Sequence, residues 1–117
     1  MNTLTARLNF EHFKTPWCFV GHSHVQCMFI KDEATDRVTM GAPSLEQPTN
    51  LRPRMILNPG SVGQPRDRDP RAAYVIYDTE AKTWEAHRVA YDIAEVQARI
   101  REVHLPEKQA ARLADGW

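Results

Sequence analysis

Two imidazoles one residue apart, His22 and His24, follow the apolar run Trp17-Cys18-Phe19-Val20 across Gly21. Neutral imidazole is the commonest protein ligand for metal ions. If the backbone stays extended, residues i and i+2 share a face and can aim at one point. A His-x-His alone does not distinguish a metal site from a surface or core pair. Further on lies Leu57-Asn58-Pro59-Gly60-Ser61-Val62-Gly63-Gln64-Pro65-Arg66-Asp67. Gly60 can take positive φ, Pro59 fixes its own, and the Asn58 side chain can brace the turn. Ser61 is not read as a nucleophile, because no Gly-x-Ser-x-Gly elbow surrounds it. Five arginines against two aspartates fall between Arg52 and Arg71. Arginine grips phosphate oxygens with two parallel donors, so this segment reads either as a phosphate-facing rim or as a solvated loop. The solvated reading is taken for Arg68 and Arg71, and both stay open for Arg66. His12, His87 and His104 read as surface positions.

The elements that must position these groups are short. Residues 3–14 place Leu4, Leu8, Phe10 and Phe13 along a helical stripe, with Thr3 or Thr5 as the cap and Pro16 as the stop. Residues 17–20 read as a fully buried strand and 25–30 as its successor, which puts both imidazoles at strand ends. A strand at 38–40 precedes a Pro- and Gly-marked loop over 41–53. Strands at 55–57, 72–77 and 83–91 follow, the last two joined by the hairpin Asp78 to Lys82. Asp92 and Glu95 form a capping box ahead of Ile93, Val96, Ile100 and Val103 at helical spacing. Pro106 stops that helix and opens another over 107–114, with Gly116 past its end. The order predicts an α+β fold, a mixed sheet of about six strands with helices on one side.

The chain has 117 residues, 42% hydrophobic and 26% charged, which suits one globular domain, residues 1–117. Fifteen basic and fifteen acidic residues cancel, so no net field recruits nucleic acid or an anionic membrane. No apolar run approaches the ~20 residues needed to span a bilayer, and a cytoplasmic protein is expected. Cys18 and Cys27 form no Cys-x-x-Cys and read as buried, reduced thiols.

Taken together, Gly21-His22-Ser23-His24 and Asn58-Pro59-Gly60-Ser61-Val62-Gly63 resemble the calcineurin-like metallophosphoesterases, in particular their small bacterial and archaeal phosphodiesterase branch. The resemblance runs from about Asn9 to about Leu105. It implies the C-terminal half of a four-layer α/β/β/α sandwich. It also implies a site with two divalent ions (Mn, Zn, Fe, Ni or Mg) that hydrolyse a phosphoester through a metal-activated water. By that likeness His22 and His24 are metal ligands, one to each ion, and Gly21, Asn58, Gly60 and Ser61 shape the pocket beside them. Arg66 is the candidate for facing the phosphate.

The chain departs from the family pattern in one respect. The Asp-x-His, Gly-Asp and Gly-Asn-His elements of that family do not occur: no glycine is followed by Asp or Asn, and the only His before the motif is His12. The chain therefore reads as the half that follows those elements. By itself it is expected to be hydrolytically incompetent, holding one metal or none, and to pair either with the N-terminal half of the same enzyme or with a second copy as a homodimer. A binding or scaffold module that kept the fold without catalysis is the alternative. A zinc-bridged self-associating domain is a third reading.

Overall fold

The computed structural model describes residues 2–117. Helix α1 spans Thr3–Asn9 and is capped by Asn2, whose Oδ1 accepts from the Thr5 N–H at 2.9 Å. It is shorter than residues 3–14 and is not capped by Thr3 or Thr5. Arg54 braces the segment past the helix end. Its guanidinium takes the carbonyls of Phe10, Phe13 and Thr15 at 2.8, 3.1 and 2.6 Å and lies over the Phe10 and Phe13 rings. These bonds tie the segment after α1 to the residue that precedes Met55. The inward face also differs from the Leu4–Leu8 stripe. Ala6 and Phe10 are buried, whereas Leu4 and Leu8 are 67% and 53% exposed. Two positions along a helix is about 200° of rotation, so burying the Phe10 ring turns both leucines outward.

Seven strands follow: β1 (Trp17–Phe19), β2 (Gln26–Lys31), β3 (Val38–Gly41), β4 (Thr49–Asn50), β5 (Met55–Pro59), β6 (Ala72–Asp78) and β7 (Thr83–Val89). They divide into two sheets, in the orders β1-β5-β2-β3 and β4-β7-β6. The single six-stranded sheet is thus replaced by two, and β4 arises inside the segment read as a loop. Among the named strands of the described residues, β1–β5 is the parallel pairing and the others are antiparallel. Asp32 and Asp78 close the β2–β3 and β6–β7 turns, each carboxylate accepting two backbone N–H groups. This is the Asx-turn chemistry that makes Asp a turn former.

Strand β5 explains the two sheets. It is buried from Met55 to Asn58, and alternate side chains serve opposite cores. Ile56 packs with Ala6, Phe10, Cys27 and Phe29 beneath α1, while Met55 and Leu57 pack with Trp84 beneath the second sheet. Each such apolar side chain contributes roughly 1.5–3 kcal/mol when buried. Strand β1 is less enclosed than expected, with Phe19 45% exposed. Both cysteines are free, and β5 lies between the strands that carry them, Cys18 opposite Ile56 and Cys27 opposite Asn58.

Helices α2 (Ile93–Glu102) and α3 (Glu107–Asp115) pack on each other rather than across a sheet face. Asp92 Oδ1 accepts from the Glu95 N–H, but the Glu95 carboxylate pairs with Arg99, so one half of the capping box forms. Pro106 opens α3, and Gly116, at φ 66°, closes it in the left-handed conformation. The C-terminus of α3 rests on the segment after β5: the Gly116 carbonyl accepts from the Arg68 N–H, and Arg68 lies over the Trp117 ring.

Candidate metal centre

The turn between β1 and β2 is not extended. His22 and His24 have φ of 71° and 59°, so the shared face of an extended strand does not apply to them. Left-handed backbone costs a non-glycine residue roughly 1–2 kcal/mol, and paired departures of this kind cluster at functional sites. The Ser23 N–H donates to the Gly21 carbonyl at 2.9 Å and tightens the bend. His22 is exposed and His24 is half-buried.

Asn58 joins the two motifs. Its side chain, 3% exposed with the rest of the residue, donates through Nδ2 to Ser23 Oγ at 2.9 Å and to the Gly21 carbonyl at 3.3 Å. Its Oδ1 accepts from the Gly60 N–H at 3.0 Å. One amide therefore fixes both turns, because β5 delivers it at the end of the strand beside β1. Gly60 has φ 86°, and a Cβ there would lie 2.8 Å from the Ala73 Cβ and 3.1 Å from the Gln26 Cβ. Ser61 Oγ accepts from the Gln64 N–H and its carbonyl accepts from the Ala73 N–H, both at 3.0 Å.

The segment after that turn returns to His24. The Gln64 carbonyl lies 2.7 Å from His24 Nδ1, and the Arg66 N–H donates to the His24 carbonyl at 3.0 Å. A carbonyl can only accept, so in the neutral imidazole Nδ1 carries the proton and Nε2 keeps its lone pair. Metal-ligating histidines characteristically take this form, with the distal nitrogen held by a carbonyl or carboxylate. The Arg66 guanidinium is exposed and engages Gln64 Oε1 through Nε and Nη2. Arg71 pairs with Asp69 at 2.6 Å.

Beneath this lies an ion pair that the sequence did not single out, Asp67 with Arg88, whose side chains are 15% and 6% exposed. Asp67 Oδ2 also accepts from the Gln26 N–H at 3.1 Å, and Arg88 Nε donates to Gln26 Oε1 at 3.1 Å. Burial pushes the Asp67 carboxyl up, yet the Arg88 and Gln26 hydrogen bonds outweigh it and hold its pKa below the usual carboxylate range. A concavity of about 570 Å³ borders this pair, walled by Val25, Cys27, Met40, Pro43 and Leu45, and neither motif histidine lines it. Burial raises the Cys27 thiol, which leaves it protonated and poorly suited to ligation. His12 lies beyond the end of α1, His104 is exposed, and His87 stacks on Tyr74.

The donor set fits a metal in part. His24 presents a bare nitrogen and His22 is open to solvent, whereas a closed centre takes four or more ligands. Among the described residues no group of three or more His, Cys, Asp and Glu side chains could hold an ion. Among those residues, too, no helix is long and apolar enough to cross a membrane.

No family model matches the chain. Over 96 residues it is 38% identical to an uncharacterized protein of Methanocaldococcus jannaschii, covering 81% of this chain and 37% of that protein. It is also similar to the crystal structure of a metallophosphoesterase from Sphaerobacter thermophilus, with 47% identity and a TM-score of 0.89 over 99% of this chain. The chain spans 48% of that solved protein. Fold and sequence thus agree: the chain carries part of the calcineurin-like metallophosphoesterase fold, matching the C-terminal half of the solved relative.

Proposed function

We propose that this chain supplies His22 and His24 as two of the ligands of a metal-dependent phosphoesterase centre, the remaining donors coming from residues outside this sequence. The observation that carries the reading is the His24–Gln64 pairing at 2.7 Å, which leaves a ligating nitrogen bare on a strained turn. The complement is the other half of such an enzyme, in the same polypeptide or a separate one; a second copy of this chain brings the same donors again. When bound, divalent ions lower the pKa of a coordinated water and clamp the phosphoryl oxygens. The chain's own part is to hold two imidazoles through the Asn58 and Gln64 hydrogen bonds. The Arg66 N–H pairing with the His24 carbonyl supports Arg66 as the residue that meets a phosphate oxygen once its guanidinium leaves Gln64.

The test has two arms. Titration calorimetry with Mn²⁺ and Zn²⁺ on the chain should show weak binding that disappears in His22→Ala and His24→Ala. Hydrolysis of an aryl phosphodiester by the chain alone should stay at background with either metal, and should appear when a segment carrying the missing donors is added. Equal heats in wild type and both variants would show that the histidines are not ligands. Turnover by the chain alone would show that it needs no complement.

A further inference from the structure

Gln64 has all of its polar groups engaged. Its N–H donates to Ser61 Oγ at 3.0 Å, and its carbonyl accepts from His24 Nδ1 at 2.7 Å. Its side-chain oxygen accepts from Arg66 Nε at 3.2 Å and Nη2 at 2.6 Å, and its Nε2 donates to Gln109 Oε1 of α3 at 2.8 Å. The next residue, Pro65, is fully buried. A proline restricts the residue before it to extended backbone, which narrows the directions the Gln64 carbonyl can take. Ser61 fixes the peptide unit on the other side of the Gln64 Cα, through the Gln64 N–H, and is itself tied to β6 through Ala73. The carbonyl that meets His24 is therefore aimed by two independent restraints.

We propose that Gln64 is the positioning residue of His24. Its main-chain carbonyl locks the imidazole as the Nδ1–H tautomer, leaving Nε2 as the ligating nitrogen, and Ser61 acts through Gln64 by anchoring the Gln64 N–H. A free neutral imidazole carries its single proton on either nitrogen. A ring in the wrong tautomer offers a metal no lone pair at Nε2, so the lock removes a tautomer exchange from the binding step. The arrangement also explains why a serine follows the glycine in Asn58-Pro59-Gly60-Ser61 without acting as a nucleophile: its hydroxyl is used as an acceptor for a backbone N–H. The use of Nε2 rests on the metal-ligand reading above; the tautomer lock does not.

The experiment is a long-range proton–nitrogen spectrum of the metal-free chain with ¹⁵N-labelled histidine. It is run near pH ~8, above the ordinary imidazole value of ~6.5. His24 should appear as Nδ1–H alone in wild type. Ser61→Ala should give a mixture of tautomers and weaken Zn²⁺ binding by roughly 10–100-fold, the usual effect of losing a ligand's orienting partner. Ser61→Thr, which keeps the hydroxyl, should restore the wild-type pattern, a rescue that a loss of fold stability alone does not predict. Gln64→Ala keeps the carbonyl and should keep the tautomer. An Nε2–H His24 in wild type overturns the proposal whether or not the variants fold, as does Ser61→Ala with unchanged tautomer and affinity. A locked Nδ1–H ring that binds no Zn²⁺ upholds the positioning role and removes the metal reading instead.

Discussion

Asn58 holds Ser23: the Asn58 Nδ2 donates to the Ser23 hydroxyl at 2.9 Å, so the end of β5 fixes the bend that carries both motif histidines. The same side chain serves the Gly21 carbonyl and the Gly60 N–H. Its removal deprives both turns of these hydrogen bonds and leaves a void at the buried Asn58 position. Asn58→Ala should therefore cost about 2–3 kcal/mol by urea denaturation. It should also accelerate hydrogen exchange at the Gly60 amide selectively. An exchange rate at Gly60 unchanged relative to the rest of β5 would show that the side chain does not hold the turn.

Gly60 and Gly63 make a matched pair. At Gly60 an added Cβ meets Ala73 and Gln26 and sits at positive φ, while at Gly63 it meets nothing within 4 Å. Gly60→Ala combines left-handed strain with overpacking and should destabilise by about 2–4 kcal/mol. Gly63→Ala should be within about 0.5 kcal/mol of wild type. Thermal unfolding of the two variants side by side checks the contrast, and equal midpoints would contradict the geometry.

His22 is exposed at φ 71°, so its conformation costs stability without burial to offset it. His22→Gly should be more stable than His22→Ala by about 1 kcal/mol, since glycine takes left-handed backbone freely. Both should lose metal binding equally. A glycine variant no more stable than the alanine one would mean that the turn relaxes rather than holding His22 in place.

How far the sequence reveals this arrangement depends on the range of the interaction. The two histidines and the Asn-Pro-Gly-Ser turn are visible because their residue types and order are distinctive, and Asn58 was expected to brace its own turn. That Asn58 also reaches Ser23 is a long-range pairing, and no local pattern encodes it. The role of Gln64 is not legible in the sequence because it acts on His24 through its main-chain carbonyl, which every residue possesses. Asp67 reads in sequence only as loop charge; its pairing with Arg88 depends on how the segment after β5 folds back against β7. The Leu4–Leu8 stripe misled for a related reason. Periodicity gives the spacing of a face, but burial of Ala6 and Phe10 against Cys27, Phe29 and Ile56, far along the chain, decides which face turns inward.

The Asp67–Arg88 pair predicts an acid dependence. The folded Asp67 pKa is lowered, so the pair's contribution is fully present above the unfolded carboxylate value of ~3.9. It is lost as pH falls through the lower, folded value. Asp67→Asn leaves a buried guanidinium without its counter-charge and should cost about 3–5 kcal/mol at neutral pH. Below about pH 4 the difference from wild type should shrink as Asp67 protonates. Urea midpoints across that range measure it, and a penalty that stays constant with pH would assign the loss to packing rather than charge.

The open edges predict association. Strand β1 ends one sheet and β6 ends the other. Tyr77 of β6 packs on Trp17 and Phe19 of β1, with ring centroids 5.9 and 5.3 Å apart. The two unpaired edges thus lie on the same side of the molecule. Phe19 and Ile76 are 45% and 54% exposed there. Unpaired edge strands and exposed apolar side chains both favour addition of another strand. The radius of gyration, 16.2 Å, exceeds the ~13 Å of a compact domain of this length, so the chain is elongated and exposes more edge than a compact one. At micromolar concentration the chain should sediment as a dimer or larger species. Phe19→Lys places a charge beside the β1 edge and should shift it toward monomer, whereas Leu4→Lys on α1 should leave the distribution unchanged. A wild-type chain that sediments as a monomer, or a Leu4→Lys variant that dissociates as readily as Phe19→Lys, would show that the β1–β6 side is not where the partner binds.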